Sequence, residues 1–171
     1  MWTYELYHHG IKGMKWGVRR YQNLDGTLTS AGKKRYVNID VITSKKTGEK
    51  LYMAEQRSKR AYDPEHYFTI ISNGKKVGNL IIENQKDNLY INWIDIKKTE
   101  RGKGYANSVM DYTINYAKKN NYKTMTLEVP GTSPDARHIY KKHGFKEDTS
   151  IRPDVNDGWG GLTAMKRKVK K

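Results

Sequence analysis

Residues Ile94–Phe145 read IDIKKTERGKGYANSVMDYTINYAKKNNYKTMTLEVPGTSPDARHIYKKHGF, and this stretch decides the fold. Alternating β-branched residues indicate a strand at its start, and apolar residues at helical spacing predict a helix over Gly104–Lys119. A short apolar strand over Thr124–Val129 and a second helix over Ser133–His143 come next. Strands joined by a helical crossover run parallel. The stretch therefore predicts a parallel β-α-β core.

A glycine-rich turn, Arg101-Gly102-Lys103-Gly104-Tyr105-Ala106, stands between the first strand and the first helix. Glycines let successive backbone N–H groups point at a common centre, and the helix N-terminus adds the positive end of its dipole. The side chains of Arg101 and Lys103 add two formal positive charges. The turn is therefore predicted to bind an anion, with a pyrophosphate favoured. Asn107, three after Gly104, excludes a GxGxxG dinucleotide turn, and no Gly-Lys-Ser/Thr of a P-loop is present.

The turn and the second helix resemble the two signatures of the GNAT superfamily of N-acetyltransferases. The first signature, Arg/Gln-x-x-Gly-x-Gly/Ala, is matched by Arg101, Gly104 and Ala106. The second, Asn-x-x-Ala-x-x-Leu-Tyr-x-x-x-Gly-Phe, is matched by Ala136, Ile139, Tyr140, Gly144 and Phe145, with Ser133 where asparagine is usual. The resemblance implies the GNAT acyl-CoA N-acyltransferase fold. That fold is an α/β (α+β) mixed sheet in which an antiparallel meander precedes the parallel core.

The residues before this stretch are predicted to supply the antiparallel meander. Alternation makes Val37–Thr43 the first strand of the domain, and Glu49–Arg60 is compatible with one helix. Tyr67–Ser72 and Val77–Glu83 flank Asn73-Gly74, which is a strong signal for a tight hairpin.

A polar turn, Gln85–Asn88, separates that hairpin from a strand over Leu89–Ile96, and a last strand is expected near Trp159–Val169. Members of the family usually place two helices after the first strand, where they form one wall of the acceptor site. Residues 44–65 have room for barely one and a half. A short wall and an open acceptor groove are therefore expected.

Residues 1–36 differ in character from the rest of the chain, because they are rich in glycine, aromatic and basic residues and have no sustained hydrophobic period. We predict a non-globular basic tail for docking or tethering, succeeded by an acetyltransferase domain over residues 37–171. Residues 8–36 resemble a segment that recurs beside unrelated domains in structural-module proteins of Gram-positive phages and prophages. That resemblance implies a phage or prophage origin and contact with a phage head component. Adjacent His8 and His9 are expected to form a polar turn rather than a metal site.

The 171-residue chain has 33 Lys and Arg against 18 Asp and Glu, a formal net charge of +15. CoA needs few positive groups, so the excess of positive charge indicates either anionic surroundings, such as nucleic acid, or a solvated basic surface without a partner.

Without cysteine there is no disulfide, thiol nucleophile or cysteine metal site. No apolar run approaches the roughly 18 residues of a membrane span. We expect a protein of the host cytoplasm or of a phage virion, with no membrane partner. His138 and His143, on a lysine-rich helix, are expected to be solvated.

The GNAT resemblance implies acetyl-CoA as the cofactor, bound where two central parallel strands splay apart. The pantetheine arm is expected to pair with the strand edge around residues 94–97, where a backbone N–H would stabilise the oxyanion. The turn would bind the pyrophosphate. The expected cofactor-binding residues are Ile94, Ile96, Arg101, Gly102, Lys103, Gly104, Tyr105, Ala106, Ser133 and Tyr140.

Two residues are expected to transfer protons. Tyr140 matches the family's general-acid tyrosine and, with an ordinary pKa of about 10, can donate to a departing thiolate. The alternative for Tyr140 is a core tyrosine that packs against the sheet. Glu128 resembles the base of the ribosomal-protein N-terminal acetyltransferase branch and would deprotonate the amine directly or through water. If Glu128 is instead a structural charge, Asp95 and Glu83 are the other candidate bases.

The sequence leaves three functions open. The favoured one is an acetyl-CoA-dependent N-acetyltransferase that acts on a primary amine of a protein or peptide. The second is the same chemistry on an aminoacyl-tRNA or another nucleic-acid-linked amine, which a basic surface suits. The third is a virion-associated structural or DNA-contacting protein that retains the fold without turnover.

Overall fold

The computed structural model describes residues 21, 23, 27–57, 65–150 and 161–170. Within them no helix is both long enough and apolar enough to cross a membrane. The helices are α1 Ser30–Arg35, α2 Tyr105–Lys119, α3 Pro134–Lys142 and a short 3-10 helix, Lys98–Glu100. The strands are β1 Tyr36–Thr43, β2 Lys50–Gln56, β3 Glu65–Ser72, β4 Lys75–Gln85, β5 Asn88–Ile96, β6 Thr124–Pro130, β7 Lys146–Glu147 and β8 Leu162–Lys168.

The strands form one sheet in the order β1-β2-β3-β4-β5-β6-β8-β7. Neighbouring strands are antiparallel except for β5 and β6, which are parallel. Helix α2 makes the crossover between these two parallel strands. The predicted mixed sheet, with an antiparallel meander before a parallel β-α-β core, is therefore confirmed.

The turn between β3 and β4 confirms the predicted hairpin. Asn73 and Gly74 have φ angles of 49° and 75°, as a type I′ turn requires at both central positions. Because of this turn, Ser72 lies opposite Lys75 and Ile71 opposite Lys76, and the register then shifts by one residue, so that Ile70 pairs with Gly78. The short strand β7 was not predicted, since two residues carry too little periodicity to reveal a strand.

Residues 50–56 form strand β2, so the helix predicted over Glu49–Arg60 is wrong. Leu51 and Met53 are both 0 % exposed and lie on the face of the sheet that α2 covers. Between them, Tyr52 joins a separate apolar cluster on the opposite face. This two-residue alternation, completed by pairing with β1 and β3, outweighs the weak helical pattern of the surrounding charges. Residues 58–64 lie outside the described residues.

Helices α2 and α3 pack side by side on one face of the sheet. His143, immediately after α3, has Nε2 at 3.2 Å from Oδ1 of Asn107 on α2. Apolar residues from both helices and from the sheet form the main core. Its fully buried members include Leu51, Met53, Ile70, Leu80, Ile82, Leu89, Met110, Met125 and Leu127.

Near β1, the opposite face of the sheet is covered by residues that precede the first strand. Tyr21 and Leu28 pack with Tyr36 and Ile39 in a second apolar cluster. Helix α1 is capped by Thr29, whose Oγ1 accepts a hydrogen bond of 3.1 Å from the N–H of Gly32. Part of the predicted tail thus contacts the sheet. The domain boundary at residue 37 stays a prediction, and residues 1–20 lie outside the described residues.

Candidate active site

The candidate site is centred on an opening between β5 and β6. The two strands pair in parallel register up to Ile91 and Leu127, and no later pair is formed in the described part of the chain. Beyond that point β5 stays paired with β4 to Ile96, whereas β6 stays paired with β8 to Pro130. Beyond this point each strand pairs with its outer neighbour, so the edges of β5 and β6 that face each other are unpaired.

A β-bulge in β5 lies where this pairing stops. Ile82 of β4 pairs with Ile91, and Ile81 pairs with Trp93, so Asn92 has no partner on β4. A bulge bends its strand and increases the local twist. The bulge can therefore account for the departure of β5 from β6.

The glycine-rich turn connects the end of β5 to α2. Gly102 and Gly104 have φ angles of 80° and 77°, in the left-handed region that glycine adopts without strain. Gly104 is the N-cap residue of α2, and no side chain caps this helix. Because the first N–H groups of a helix have no intrahelical acceptor, those of α2 are available to an anion. The helix dipole favours negative charge at the same place.

The structure gathers most of the predicted cofactor residues at this end of the sheet. Ile94 is half-buried and Ile96 buried on β5. Arg101 Nε donates a hydrogen bond of 3.1 Å to the carbonyl oxygen of Ile96, which ties the turn to the strand. The side chain of Tyr105 points into the protein, where its hydroxyl donates to the carboxylate of Glu49. Only the backbone of Tyr105 is therefore placed to contact a cofactor.

The other predicted cofactor residues lie in the glycine-rich turn, in the first turn of α2 and at the start of α3. Lys103 Nζ lies 2.8 Å from Oε2 of Glu100, and both side chains are partly exposed. Ala106 packs against the main core. Ser133 is the N-cap residue of α3, and its side chain makes no capping hydrogen bond. The hydroxyl of Ser133 is thus not used to start the helix.

Tyr140 lies on α3 and packs against the main core. Its ring meets that of Phe145 edge-to-face, with 6.1 Å between centroids. Burial raises the pKa of Tyr140, so the phenol is protonated at neutral pH. Its hydroxyl has no hydrogen-bond partner among the described residues, which leaves the proton available for donation.

Glu128 lies on the face of the sheet opposite α2 and α3. Its neighbours Leu127 and Val129 are each 1 % exposed and belong to the main core. Strand alternation places Glu128 on the other face, where it is half-buried and close to Tyr90 of β5. Burial first, and then the charges of Glu128 and Glu83, raise the pKa of Tyr90.

Four carboxylates, Glu65, Glu83, Asp95 and Glu128, share this face, which we call the carboxylate face. Glu65 and Glu83 are direct cross-strand neighbours. Asp95 lies 4.0 Å from the Nη2 atom of Arg101. Neither Glu83 nor Glu128 forms a salt bridge with a described residue. Carboxylates that lie directly opposite each other repel. The carboxylate face therefore favours binding of a positively charged ligand.

An exposed aromatic side chain stands beside the carboxylates. Trp93 of β5 is 51 % exposed. It forms one wall of a shallow cavity of about 210 Å³ that Tyr67 and Ile81 also line. The register of β3, β4 and β5 puts these three residues on the carboxylate face. The face therefore combines negative charge with aromatic surface.

The expectation that His143 is solvated is wrong. Its side chain is 10 % exposed, and Nδ1 lies 3.4 Å from Oδ1 of Asp111 on α2. Burial lowers the pKa of His143, and the nearby charge of Asp111 opposes that effect. The lysines around it in sequence gave no sign that α2 packs over this position. His138 is exposed, as predicted.

Two residues that no motif indicated also contact the glycine-rich turn. Ser44 Oγ donates to the carbonyl oxygen of Lys103 at 2.8 Å, although the residues are 59 positions apart. Lys46 Nζ donates to the carbonyl oxygen of Gly102 at 2.6 Å, across 56 positions. Contacts over such distances leave no local pattern in a sequence.

The arrangement fits a long cofactor that carries a pyrophosphate. The N–H groups of the turn and of the start of α2 form a donor set for the phosphates. The unpaired edge of β5 can hydrogen bond to an extended arm. Tyr140 and Glu128 then offer a proton donor on one side of the sheet and a proton acceptor on the other.

Two family models match parts of the sequence. A model described as the acetyltransferase (GNAT) family matches residues 36–145. A second model, described only as a family of unknown function, matches residues 3–23. No curated protein matches the chain.

Several solved acetyltransferases resemble the structure. Ribosomal-protein-S18-alanine N-acetyltransferase from Escherichia coli has a TM-score of 0.56 at 21% identity, over 64% of this chain and 72% of that one. Ard1 from Thermoplasma volcanium has a TM-score of 0.57 at 21% identity, over 61% and 71% of the two chains. Spermidine N-acetyltransferase from Vibrio cholerae, in complex with CoA and spermine, has a TM-score of 0.55 at 19% identity, over 63% of this chain and 67% of that one. At these identities the likeness concerns the fold.

Proposed function

The chain belongs to the GNAT acetyltransferase family, and from that premise we propose that it transfers the acetyl group of acetyl-CoA to a primary amine of a protein or peptide. One observation carries the proposal. Glu128 and Tyr140 lie on opposite faces of a sheet whose two central strands separate beside Glu128. Glu128 thus supplies a proton acceptor beside the opening, and Tyr140 supplies a protonated phenol on the helix-covered face of the same sheet.

Acetyl-CoA is the cofactor of this family, and when bound it supplies a thioester whose acetyl group an amine can take. The N–H groups of Lys103 and Gly104 and of the first turn of α2 would hold the pyrophosphate. The edge of β5 around Ile94 and Ile96 would bind the extended arm. A backbone N–H on that edge would stabilise the developing oxyanion.

Glu128 is the proposed general base. Its carboxylate would take a proton from the acceptor ammonium, directly or through water, and leave the amine with a lone pair for attack. Among the alternatives, Asp95 is already close to Arg101. Glu83 lies a strand further from the opening, on β4. Glu128 stands immediately after the last residue of β6 that pairs with β5.

Tyr140 is the proposed general acid. Its hydroxyl would give a proton to the sulfur of the departing thiolate, which restores the neutral thiol. Burial keeps the phenol protonated. Since no described residue accepts a hydrogen bond from the hydroxyl, no interaction with the described residues has to be broken first.

The carboxylate face supports an amine that arrives with positive charge around it. The chain as a whole has a net charge of +15, yet this face carries the carboxylates of Glu83, Asp95 and Glu128 near the opening. The guanidinium of Arg101, 4.0 Å from Asp95, offsets part of that negative charge. Such a surface attracts a peptide rich in lysine or arginine and repels a phosphate backbone. The aromatic side chain of Trp93 can also contact cations. We therefore favour a peptide amine over an aminoacyl-tRNA.

A competition between acceptors tests this proposal. The purified chain is incubated with labelled acetyl-CoA, and products are identified by intact mass. The acceptors are two peptides with free α-amines, one flanked by lysine and one by glutamate, their Nα-blocked lysine counterparts, spermidine, and an aminoacyl-tRNA. We expect the basic peptides to react fastest.

Each other outcome of the competition has a distinct meaning. Preferred labelling of the aminoacyl-tRNA would replace the proposed acceptor with the nucleic-acid-linked amine. Preferred labelling of spermidine would support a site that attracts cationic amines and would contradict a peptide as the preferred acceptor. Binding of acetyl-CoA without turnover on any acceptor would support a protein that retains the fold for a structural role.

We also propose that the protein acts in a phage or prophage setting, through residues 1–36. The support is the resemblance of residues 8–36 to a segment of phage structural-module proteins. Co-sedimentation of the full chain with phage particles tests this, and a chain without residues 1–20 serves as the comparison. If the full chain and the truncated chain are recovered equally in the supernatant, the proposed association with phage particles is wrong.

A further inference from the structure

The loop between β1 and β2, residues 44–49, packs against the glycine-rich turn from the side of its carbonyl groups. Ser44 Oγ donates a hydrogen bond of 2.8 Å to the carbonyl oxygen of Lys103. Lys46 Nζ donates one of 2.6 Å to the carbonyl oxygen of Gly102. Side chains of one loop thus hold two successive carbonyl groups of the turn.

The same contacts direct the N–H groups of the turn. In a planar trans peptide the C=O and N–H bonds point in opposite directions. The carbonyl of Gly102 shares a peptide with the N–H of Lys103, and the carbonyl of Lys103 shares one with the N–H of Gly104. Both N–H groups consequently point away from the loop. Successive N–H groups with this orientation form an anion-binding concavity.

The loop is itself fixed by a set of hydrogen bonds. The N–H of Ser44 donates to the carbonyl oxygen of Glu49, and that of Gly48 donates to the carbonyl oxygen of Ser44, both at 2.8 Å. The carboxylate of Glu49 accepts from the hydroxyl of Tyr105 and, at 3.0 Å, from Nδ2 of Asn73. Because Tyr105 is the first residue of α2, the loop, the turn and the start of the helix form one connected unit.

Close packing at Gly104 supports the same conclusion. A Cβ atom added to Gly104 would lie 2.8 Å from the Cβ of Lys46, closer than two carbon atoms pack without displacement. The loop and the backbone of the turn are therefore in direct contact, and a shift of one requires a shift of the other.

We propose that Ser44 and Lys46 are positioning residues that hold the N–H groups of the turn ready for the pyrophosphate of acetyl-CoA. The inference rests on the proposed function, because it requires the turn to bind this cofactor. N–H donors that are already oriented bind the pyrophosphate more tightly, because less conformational entropy is lost on binding. Ser44 is 1 % exposed, whereas Lys46 is exposed. The buried hydroxyl should therefore contribute more than the solvated ammonium.

Calorimetric titration of the full chain tests the proposal with two ligands. CoA carries the pyrophosphate and the 3′-phosphate, and dephospho-CoA keeps only the pyrophosphate. Ser44→Ala removes the buried donor, Lys46→Met removes the exposed one, and Lys46→Arg keeps a donor at that place. Lys45→Met is the matched control, because Lys45 Nζ pairs with Asp111 at 2.8 Å and not with the turn. The melting temperature of each ligand-free variant is measured alongside.

We expect Ser44→Ala to weaken the binding of both ligands by the same factor, about tenfold, and Lys46→Met to weaken it by about threefold. Lys46→Arg and Lys45→Met should bind within about twofold of the wild type. If Ser44→Ala does not fold, the comparison of Lys46→Met with Lys46→Arg decides.

Three results would overturn the inference. Unchanged affinity in Ser44→Ala and Lys46→Met, with only the melting temperature lowered, would make the contacts structural. A loss seen with CoA and not with dephospho-CoA would make these residues 3′-phosphate ligands. A wild type that binds neither ligand would remove the proposed function together with the inference, and so differs from a failure of the inference alone.

Discussion

Glu128 and Tyr140 lie on opposite faces of one sheet, Glu128 beside the point where β5 and β6 separate and Tyr140 on the helix that comes after β6. An acceptor can reach Glu128 from the carboxylate face, and a cofactor bound at the turn lies near the helices. In the proposed mechanism, the proton removed from the amine and the proton given to the thiolate therefore have different sites. The two roles can be separated by mutation.

Tyr140→Phe should lower kcat about a hundredfold or more and leave the acceptor KM nearly unchanged, because the general acid acts on the leaving group in the transition state. Phenylalanine keeps the edge-to-face contact with Phe145, so the melting temperature should stay the same. Since burial raises the pKa of Tyr140, the wild-type enzyme should keep this acid protonated beyond pH 10, the ordinary tyrosine value being about 10. Steady-state kinetics measures the effect, and an unchanged kcat would identify Tyr140 as a packing residue.

Glu128→Gln should impair the enzyme most at low pH, where the acceptor amine is protonated and needs a base. Activity should recover as the pH approaches the acceptor's own pKa, about 8 for an α-amine and about 10.4 for lysine. Tyr140→Phe should show no such recovery. A pH profile of kcat/KM for both variants measures the difference.

Glu83→Gln and Asp95→Asn are the matched controls for Glu128→Gln, since each removes one charge from the same face. If Glu128 is the base, these controls should change mainly the acceptor KM, through weaker attraction of a cationic substrate. Should either control show the loss at low pH with recovery at high pH, the base belongs there instead.

Gly102→Asp and Gly102→Asn form a pair that isolates charge at the phosphate site. A Cβ at Gly102 meets no atom within 4 Å, and its φ of 80° lies near the left-handed region that Asn and Asp tolerate better than other residues. Gly102→Asn should keep most of the thermal stabilisation by acetyl-CoA, and Gly102→Asp should lose it because a carboxylate repels the phosphates. Differential scanning fluorimetry measures both, and equal stabilisation of the pair would place the phosphates elsewhere.

Gly104 is a poorer position for that test. A side chain at Gly104 would collide with Lys46, so a loss of binding in Gly104→Asp would mix charge with displacement of the loop.

Two truncations test how much of the N-terminal segment belongs to the folded domain. Removal of residues 1–20 should leave the melting temperature nearly unchanged. Removal of residues 1–36 should lower it by roughly 5 °C or more, because the cluster of Tyr21, Leu28, Tyr36 and Ile39 loses three members. Equal melting temperatures for both truncated chains would support residue 37 as the boundary of an independent domain.

Local patterns predicted most of the elements that surround the site. The Asn73-Gly74 turn, the apolar spacing of α2 and the alternation of β6 each contain enough information within a few residues. The helix predicted over Glu49–Arg60 failed because Leu51 and Met53 are buried through pairing with strands distant in sequence. The charges around those two residues are compatible with either structure, so tertiary pairing decided.

By itself, the sequence determined the order of elements from β5 through α2 and β6 to α3, the glycine-rich turn and the residue types that can transfer protons. These depend on short-range preferences, such as positive φ at glycine and the spacing of apolar residues. The tertiary structure alone decided that β5 leaves β6 at the Asn92 bulge, that Glu128 and Tyr140 occupy opposite faces, and that Ser44 and Lys46 hold the turn. Strand register, bulges and contacts between distant residues arise only when the sheet is assembled, because each requires a partner that the local sequence does not contain.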